Sequence, residues 1–267
     1  MELRDTMPKF AANISMMYNE VPFLDRPAAA ARDGFKAVEC MFPYAQPAEA
    51  LAASLRAAGV ELVLFNLPPG DFEKGERGLA ALPGREKEFG AALETALAYA
   101  KILDCPRLHA MAGITTGLAR GQCQATYIAN LKHAVSRVAG LPLTLLIEPI
   151  NGIDIPGYFI NTQAQGHAVR QAVGAANLKV QMDLYHIQMG EGGIADKMRH
   201  YIDPAGANVG HIQIAGVPGR HEPDVGEINY PYLFDLLDTL GYAGWVGCEY
   251  RPKGETSQGL GWVRGRL

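Results

Sequence analysis

Residues 143–150 read LTLLIEPI, and that stretch decides the fold. Apart from Thr144, it is apolar up to Glu148. A strand with one wet face alternates apolar and polar residues. An unbroken apolar run suits a strand covered on both faces, as in a parallel sheet. Pro149 biases Glu148 toward extended backbone, so its carboxylate is expected to stay on the strand, at the carboxyl end. Working outward, residues 10–17, 37–42, 61–66, 107–112, 178–184, 209–215 and 245–250 read as further strands. Longer amphipathic stretches separate them: 22–33, 47–58, 84–103, 122–139, 162–173, 194–201 and 230–240. Pro47 marks a helix start, Gly59 and Gly241 mark helix stops, and Asn161-Thr162 offers an N-cap. Eight strands alternating with at least seven helices favour a parallel α/β fold, a (β/α)8 TIM barrel.

The length of 267 residues suits a single barrel domain over residues 1–267, with residues 1–8 as a flexible tail. The last helix is expected to be incomplete, because residues 257–267 hold three glycines and two arginines. A Rossmann-type sheet is the rival fold, but no G-x-G-x-x-G follows the first strand. With 48% hydrophobic and 19% charged residues, the composition is that of an ordinary globular protein. A net charge of -4 disfavours nucleic acid and anionic membrane as partners. No run reaches the ~18 apolar residues of a membrane span, and the first residues lack an apolar signal core. A cytoplasmic location is therefore expected. Cys40, Cys105, Cys123 and Cys248 form no C-x-x-C pair and read as buried, reduced thiols.

The strongest functional signal is positional. Glu148, Asp183 and Glu249 end apolar strands, and Gln213 lies within another, VGHIQIAG. Barrel enzymes draw catalytic residues from this end of the strands. A carboxylate set against an apolar run is costly unless paired or metal-bound. Any one of these residues alone is explained by a salt bridge or a loop cap. Four of them converging on one mouth suit a hard divalent cation, Mg²⁺ or Mn²⁺, better than zinc. His186 is read in the loop beyond Asp183, placed to bind a substrate oxygen. Arg220, in the turn-rich loop 216–228, suits bidentate binding of a substrate carboxylate. His109 reads first as a satisfied core histidine. The Gly/Pro-rich loop 67–83 is too long for a simple connection, and loops of this length are often functional. Met16, Met17, Phe42 and Phe72 leave room for a homo-oligomer.

Six stretches carry a family resemblance: NISMMYNEVPFLDR, LFNLPPGDFEKGERGLAALPGRE, LLIEPIN, QMDLYHIQ, GHIQIAGVPGRHEPDVGEINYPYLF and GWVGCEYRP. Together they resemble the hydroxypyruvate isomerase family, which includes 2-oxo-tetronate isomerases and belongs to the xylose-isomerase-like TIM barrels. The resemblance runs from about residue 10 to residue 253. It implies a divalent metal held by Glu148, Asp183, Gln213 and Glu249, with Glu148 and Glu249 as proton donor and acceptor. It implies an isomerase acting on a small anionic hydroxy-oxo acid through an enediolate. The pairs are hydroxypyruvate with tartronate semialdehyde, or 2-oxo-tetronate with 3-oxo-tetronate. Related sugar epimerases carry His where this chain has Gln213, and a neutral amide there weakens the metal expectation. A ketose 3-epimerase is the nearest alternative; a non-catalytic sugar-binding protein lies further off. Zinc endonucleases for abasic DNA share the strand-end Glu and the Asp-x-x-His, but Asn66 and Gln213 stand where their ligands are wanted.

Overall fold

The computed structural model describes residues 8–267, so residues 1–7 of the expected tail lie outside the described residues. Nine parallel strand segments form one sheet: β1 Lys9–Asn13, β2 Ala37–Glu39, β3 Glu61–Leu62, β4 Phe65–Asn66, β5 Arg107–His109, β6 Thr144–Ile147, β7 Leu178–Asp183, β8 Val209–Ile214 and β9 Trp245–Cys248. β1 pairs with both β2 and β9. The single strand expected over 61–66 is split: β3 pairs with β2, and β4 pairs with β5. The ring stays shut across the split. Val63 N donates to Val38 O at 2.9 Å, Cys40 N to Leu64 O at 3.1 Å and Asn66 N to Met41 O at 2.8 Å. The nine segments thus fill eight barrel positions.

Side chains alternate across each strand. Phe10, Val38, Leu108, Leu145, Ile147, Val180, Ile212 and Val246 point outward into the main core under the helices. Ala11, Ala37 and Val63 form a small separate cluster with Trp245, on the opposite, inward-pointing set. Higher up the same inward rows stand Asn13, Glu39, His109, Glu148, Gln181, Asp183, His211, Gln213 and Glu249, all buried. Toward one barrel end the inward set is the small apolar cluster beside Arg107, whose Nε donates to Gly210 O at 2.9 Å; toward the other it is polar throughout.

The helices are α1 Arg26–Arg32, α2 Ala48–Ala58, α3 Glu86–Leu103, α4 Arg120–Arg137, α5 Gln163–Val173, α6 Leu184–Gly190, α7 Ile194–Tyr201 and α8 Tyr230–Thr239. The first strand is shorter than expected. Met16 N and Met17 N both bond to Asn13 O, which turns the chain away from the sheet there. A second correction concerns residues 184–190, with Leu184 read as strand and His186 as loop: they are helical as α6. The C-terminal segment holds a 3-10 helix, Thr256–Trp262, in place of an eighth α-helix of the barrel. Its Trp262 packs edge-on against Phe10 at 5.4 Å, and Leu260 and Val263 are buried. The four cysteines are buried and free, as expected. Among the described residues, no helix is long and apolar enough to cross a membrane.

Candidate active site

A cavity of about 980 Å³ opens at the carboxyl ends of the strands. Glu148, His186, Arg220 and Glu249 all line it. Met16, Phe42 and Phe72 also belong to its wall, and Met17 is fully buried. The loop between β4 and α3 supplies Phe72 and Arg77 to the cavity. It is pinned by Gly78, which has φ of +114° and whose added Cβ would lie 2.3 Å from Met111 O. Only glycine suits that close approach.

Glu148 extends from β6 with its carboxylate 5% exposed as a residue. Among the described residues its Oε1 has no hydrogen-bond partner. Oε2 lies 3.6 Å from His109 Nδ1, and Oε1 lies 3.9 Å from His186 Nε2. Burial pushes the Glu148 pKa well up, and Glu249 and Asp183 add to the rise. Neither ring nitrogen of His109 has a hydrogen-bond partner among the described residues, against the reading of a satisfied core histidine. Burial holds its pKa down to about 3.

Asp183 ends β7 and caps α6, with Oδ1 accepting from Tyr185 N at 2.8 Å. That cap fixes Oδ1 and leaves Oδ2 for the site, 3.6 Å from His186 Nε2 and 3.3 Å from Arg220 Nη2. Burial raises Asp183 to about 6, against the pull of Arg220 and two backbone N–H groups. His186 is buried on α6, not in a surface loop. Asn151 Oδ1 accepts from Ile153 N and Asp154 N. Its Nδ2 must then face His186 Nδ1, 2.6 Å away. The neutral imidazole therefore keeps its proton on Nε2, toward Glu148 and Asp183. Burial, then Arg220, push the His186 pKa well down.

Arg220 joins Asp183 to Glu249. Its Nη2 donates to Asp183 Oδ2 and, in a very short contact, to Glu249 Oε2; its Nε donates to Glu249 O at 3.3 Å. The guanidinium lies over Tyr185 at 4.8 Å. Arg220 has φ of +53°, a strained setting for a non-glycine residue, of the kind that clusters at functional sites. Burial raises Glu249 to about 8, with Arg220 opposing the rise.

Gln213 sits behind this group, its Oε1 accepting from Gln181 Nε2 at 2.6 Å and its Nε2 donating to Glu39 Oε1 at 2.7 Å. Glu39, which the sequence reading passed over, also meets His211 Nε2 at 2.6 Å and Asn13 Nδ2 at 3.0 Å. Asn13 Nδ2 reaches on to Glu249 Oε1 at 3.3 Å. Glu39 obeys the same strand-end rule as the others, since AVE is β2.

The donor chemistry fits a hard divalent cation. Glu148, Asp183 and His186 bring their polar atoms within 4.8 Å of one another, the two carboxylates as ligand atoms and His186 Nε2–H as a donor beside them. The unpartnered Glu148 Oε1 is a buried acceptor in want of a positive or donating group. Arg220 already brings its charge to Asp183 and Glu249.

The chain belongs to the xylose isomerase-like TIM barrel family, whose model matches residues 27–266. Within it, the chain is 58% identical to a 2-oxo-tetronate isomerase of Cupriavidus necator, over 97% of this chain and 98% of that protein. It is 43% identical to a hydroxypyruvate isomerase of Escherichia coli, over 96% and 98%. A crystal structure described as an AP endonuclease, family 2, from Brucella melitensis superposes with a TM-score of 0.94 at 49% identity, over 97% and 99%. A D-psicose 3-epimerase of Clostridium cellulolyticum shares the fold, at 19% identity and a TM-score of 0.74, over 94% and 89%.

Proposed function

We propose that this chain isomerises a small hydroxy-oxo acid through an enediolate: a proton leaves the hydroxyl-bearing carbon and one is delivered to the neighbouring carbonyl carbon, while the hydroxyl proton passes to the former carbonyl oxygen. The 2-oxo-tetronate and 3-oxo-tetronate pair is favoured over hydroxypyruvate by the 58% identity to an isomerase named for it. One observation carries the chemistry. Glu148 and Glu249, from opposite ends of the sheet order's middle, both line the cavity as buried carboxyls with raised pKa values. General acid–base work wants a group whose pKa lies near the working pH.

Their neighbours divide the roles. Glu249 receives donors from Arg220 and Asn13, which favour its ionised form. It is the base that removes the proton beside the carbonyl. Glu148 has an oxygen with no partner and the burial of a neutral acid, and it returns the proton on the other carbon. The reverse direction exchanges the roles. His186 Nε2–H, on the cavity wall 3.9 Å from Glu148 Oε1, is assigned as the donor to the substrate oxygen that gains negative charge. A divalent cation held by Glu148, Asp183, Gln213 and Glu249 would add electrophilic stabilisation of that oxyanion.

The substrate carboxylate is assigned to Arg77. Arg220 already spends its charge on Asp183 and Glu249. Arg77 stacks on Phe72 at 3.8 Å and donates to the main-chain oxygens of Phe72 and Glu76. The neighbouring Glu76 side chain is paired with Arg85, so it leaves Arg77 free for an anion. Arg77→Met is expected to raise KM for the acid by roughly tenfold or more, the scale of a lost charged hydrogen bond, with kcat changed less.

Kinetics on 2-oxo-tetronate, 3-oxo-tetronate and hydroxypyruvate test the reading, run in D₂O. Deuterium should enter the carbon that receives the proton. Turnover of ketoses with none of these acids accepted would replace it with the epimerase reading.

A further inference from the structure

The geometry points to a positioning role for Glu39: a buried carboxylate that decides which end of two amides, Gln213 and Asn13, faces the reaction site. It rests on the acid–base and cation reading above, and adds a residue that reading does not use. Glu39 is 0% exposed, and neither it nor Asn13 nor Gln213 belongs to the cavity wall.

An ionised carboxylate can only accept hydrogen bonds, whereas a primary amide has one donating end and one accepting end. Glu39 Oε1 takes Gln213 Nε2 at 2.7 Å. Turning that amide over would set two oxygens against each other. The Gln213 oxygen must then face away from Glu39. There it meets Gln181 Nε2 and keeps a second lone pair. A neutral amide can serve a cation only through its oxygen, so this orientation is what makes Gln213 usable as a ligand. The same Glu39 oxygen takes Asn13 Nδ2 at 3.0 Å. Asn13 Oδ1 accepts from Ser15 N at 3.1 Å, which agrees on the orientation. The donating end of Asn13 is thereby presented to Glu249 Oε1, 3.3 Å away. One acceptor thus turns the Gln213 oxygen to the Gln181 side, where it is free to serve a cation, and an N–H of Asn13 toward the base.

The rest of the barrel holds Glu39 for this task. His211 Nε2 bonds Oε2 at 2.6 Å, from one layer lower in β8. On β9, Gly247 leaves the space the carboxylate fills: a Cβ there would lie 2.2 Å from Glu39 Oε2. Glu39 touches no reacting atom and moves no proton.

The test uses the full-length protein, Mn²⁺ titration followed by electron paramagnetic resonance, and steady-state kinetics. Glu39→Gln keeps the shape but removes the obligate acceptor. It is expected to weaken Mn²⁺ binding roughly 10–100-fold, the usual effect of losing a partner of a metal ligand, and to lower kcat with KM little changed. The double variant E39Q/Q213E distinguishes orientation from mere packing. A carboxylate at 213 has an oxygen at either end, so it no longer needs Glu39 and should recover most of the Mn²⁺ affinity. Parent-like Mn²⁺ binding by E39Q, or no recovery in the double variant, overturns the proposal. If E39Q does not fold, Asn13→Ala decides, because it leaves Glu39 bonded to His211 and Gln213. Its kcat should fall about tenfold or more, and a parent-like kcat overturns the role. A parent that binds no Mn²⁺ and turns over in chelator sinks the cation reading instead. In that event the Gln213 half falls with it, and Asn13→Ala judges the Glu249 half.

Discussion

Arg220 and Asn13 both donate to Glu249, while Glu148 faces two uncharged imidazoles. The same functional group thus sits in two environments, and each should fail in its own way. Glu249→Gln and Glu148→Gln are each expected to lower kcat by roughly 10²–10⁴-fold; solvent deuterium exchange as fast as in the parent would rule out either role. Stability should follow pH through the same groups. Asp183 rises from 3.8 to about 6 on folding and Glu249 from 4.5 to about 8. The folded chain therefore holds protons the unfolded chain has released, and this stability is lost as pH rises through those values. His109 works in reverse: kept neutral by a pKa near 3 against 6.5, it favours folding above 6.5 and loses that contribution as pH falls. In chelator, the melting temperature should fall from about pH 6.5 to 8 in the parent, and fall less in Glu249→Gln. The strand-end carboxylates were legible because each closes an apolar run. Glu39 was hidden because Cys40, Met41 and Phe42 continue its run beyond the strand. Asn13 was hidden because the run to Met17 looked like one strand.

Elements with explicit end signals were read almost to the residue. Thr162 caps α5 by accepting from Gln165 N at 3.2 Å, and Gly174 in the left-handed region ends it. Thr162→Ala should cost about 1 kcal/mol and leave turnover unchanged, as measured by denaturant titration beside kinetics. α6 was missed for a physical reason. Asp183 is at once the last residue of β7 and the cap of α6, so no turn residue separates strand from helix. That economy also fixes the site: helix and strand meet at one carboxylate, and His186 follows one turn later on the same frame. The split of residues 61–66 between β3 and β4 left no mark in ELVLFN, since it depends on which neighbour each half meets.

The barrel as a whole was readable from its alternation, because eight apolar runs separated by helices leave few ways to bury both faces of each strand. The C-terminal closure was not, since a glycine-rich segment carries no helical period. Its contribution is measurable: Leu260→Ala, at a 5% exposed position, should cost roughly 2–4 kcal/mol, read as a lowered denaturation midpoint with KM unchanged. The pairing of β1 with β9 has a further consequence for biogenesis. In a nascent polypeptide paused before residue 245, Phe10 and Ala12 lack the neighbours that pair with them on one flank. Translation must deliver β9 before Asn13 can meet Glu249, so the contact that holds the base is among the last to become available.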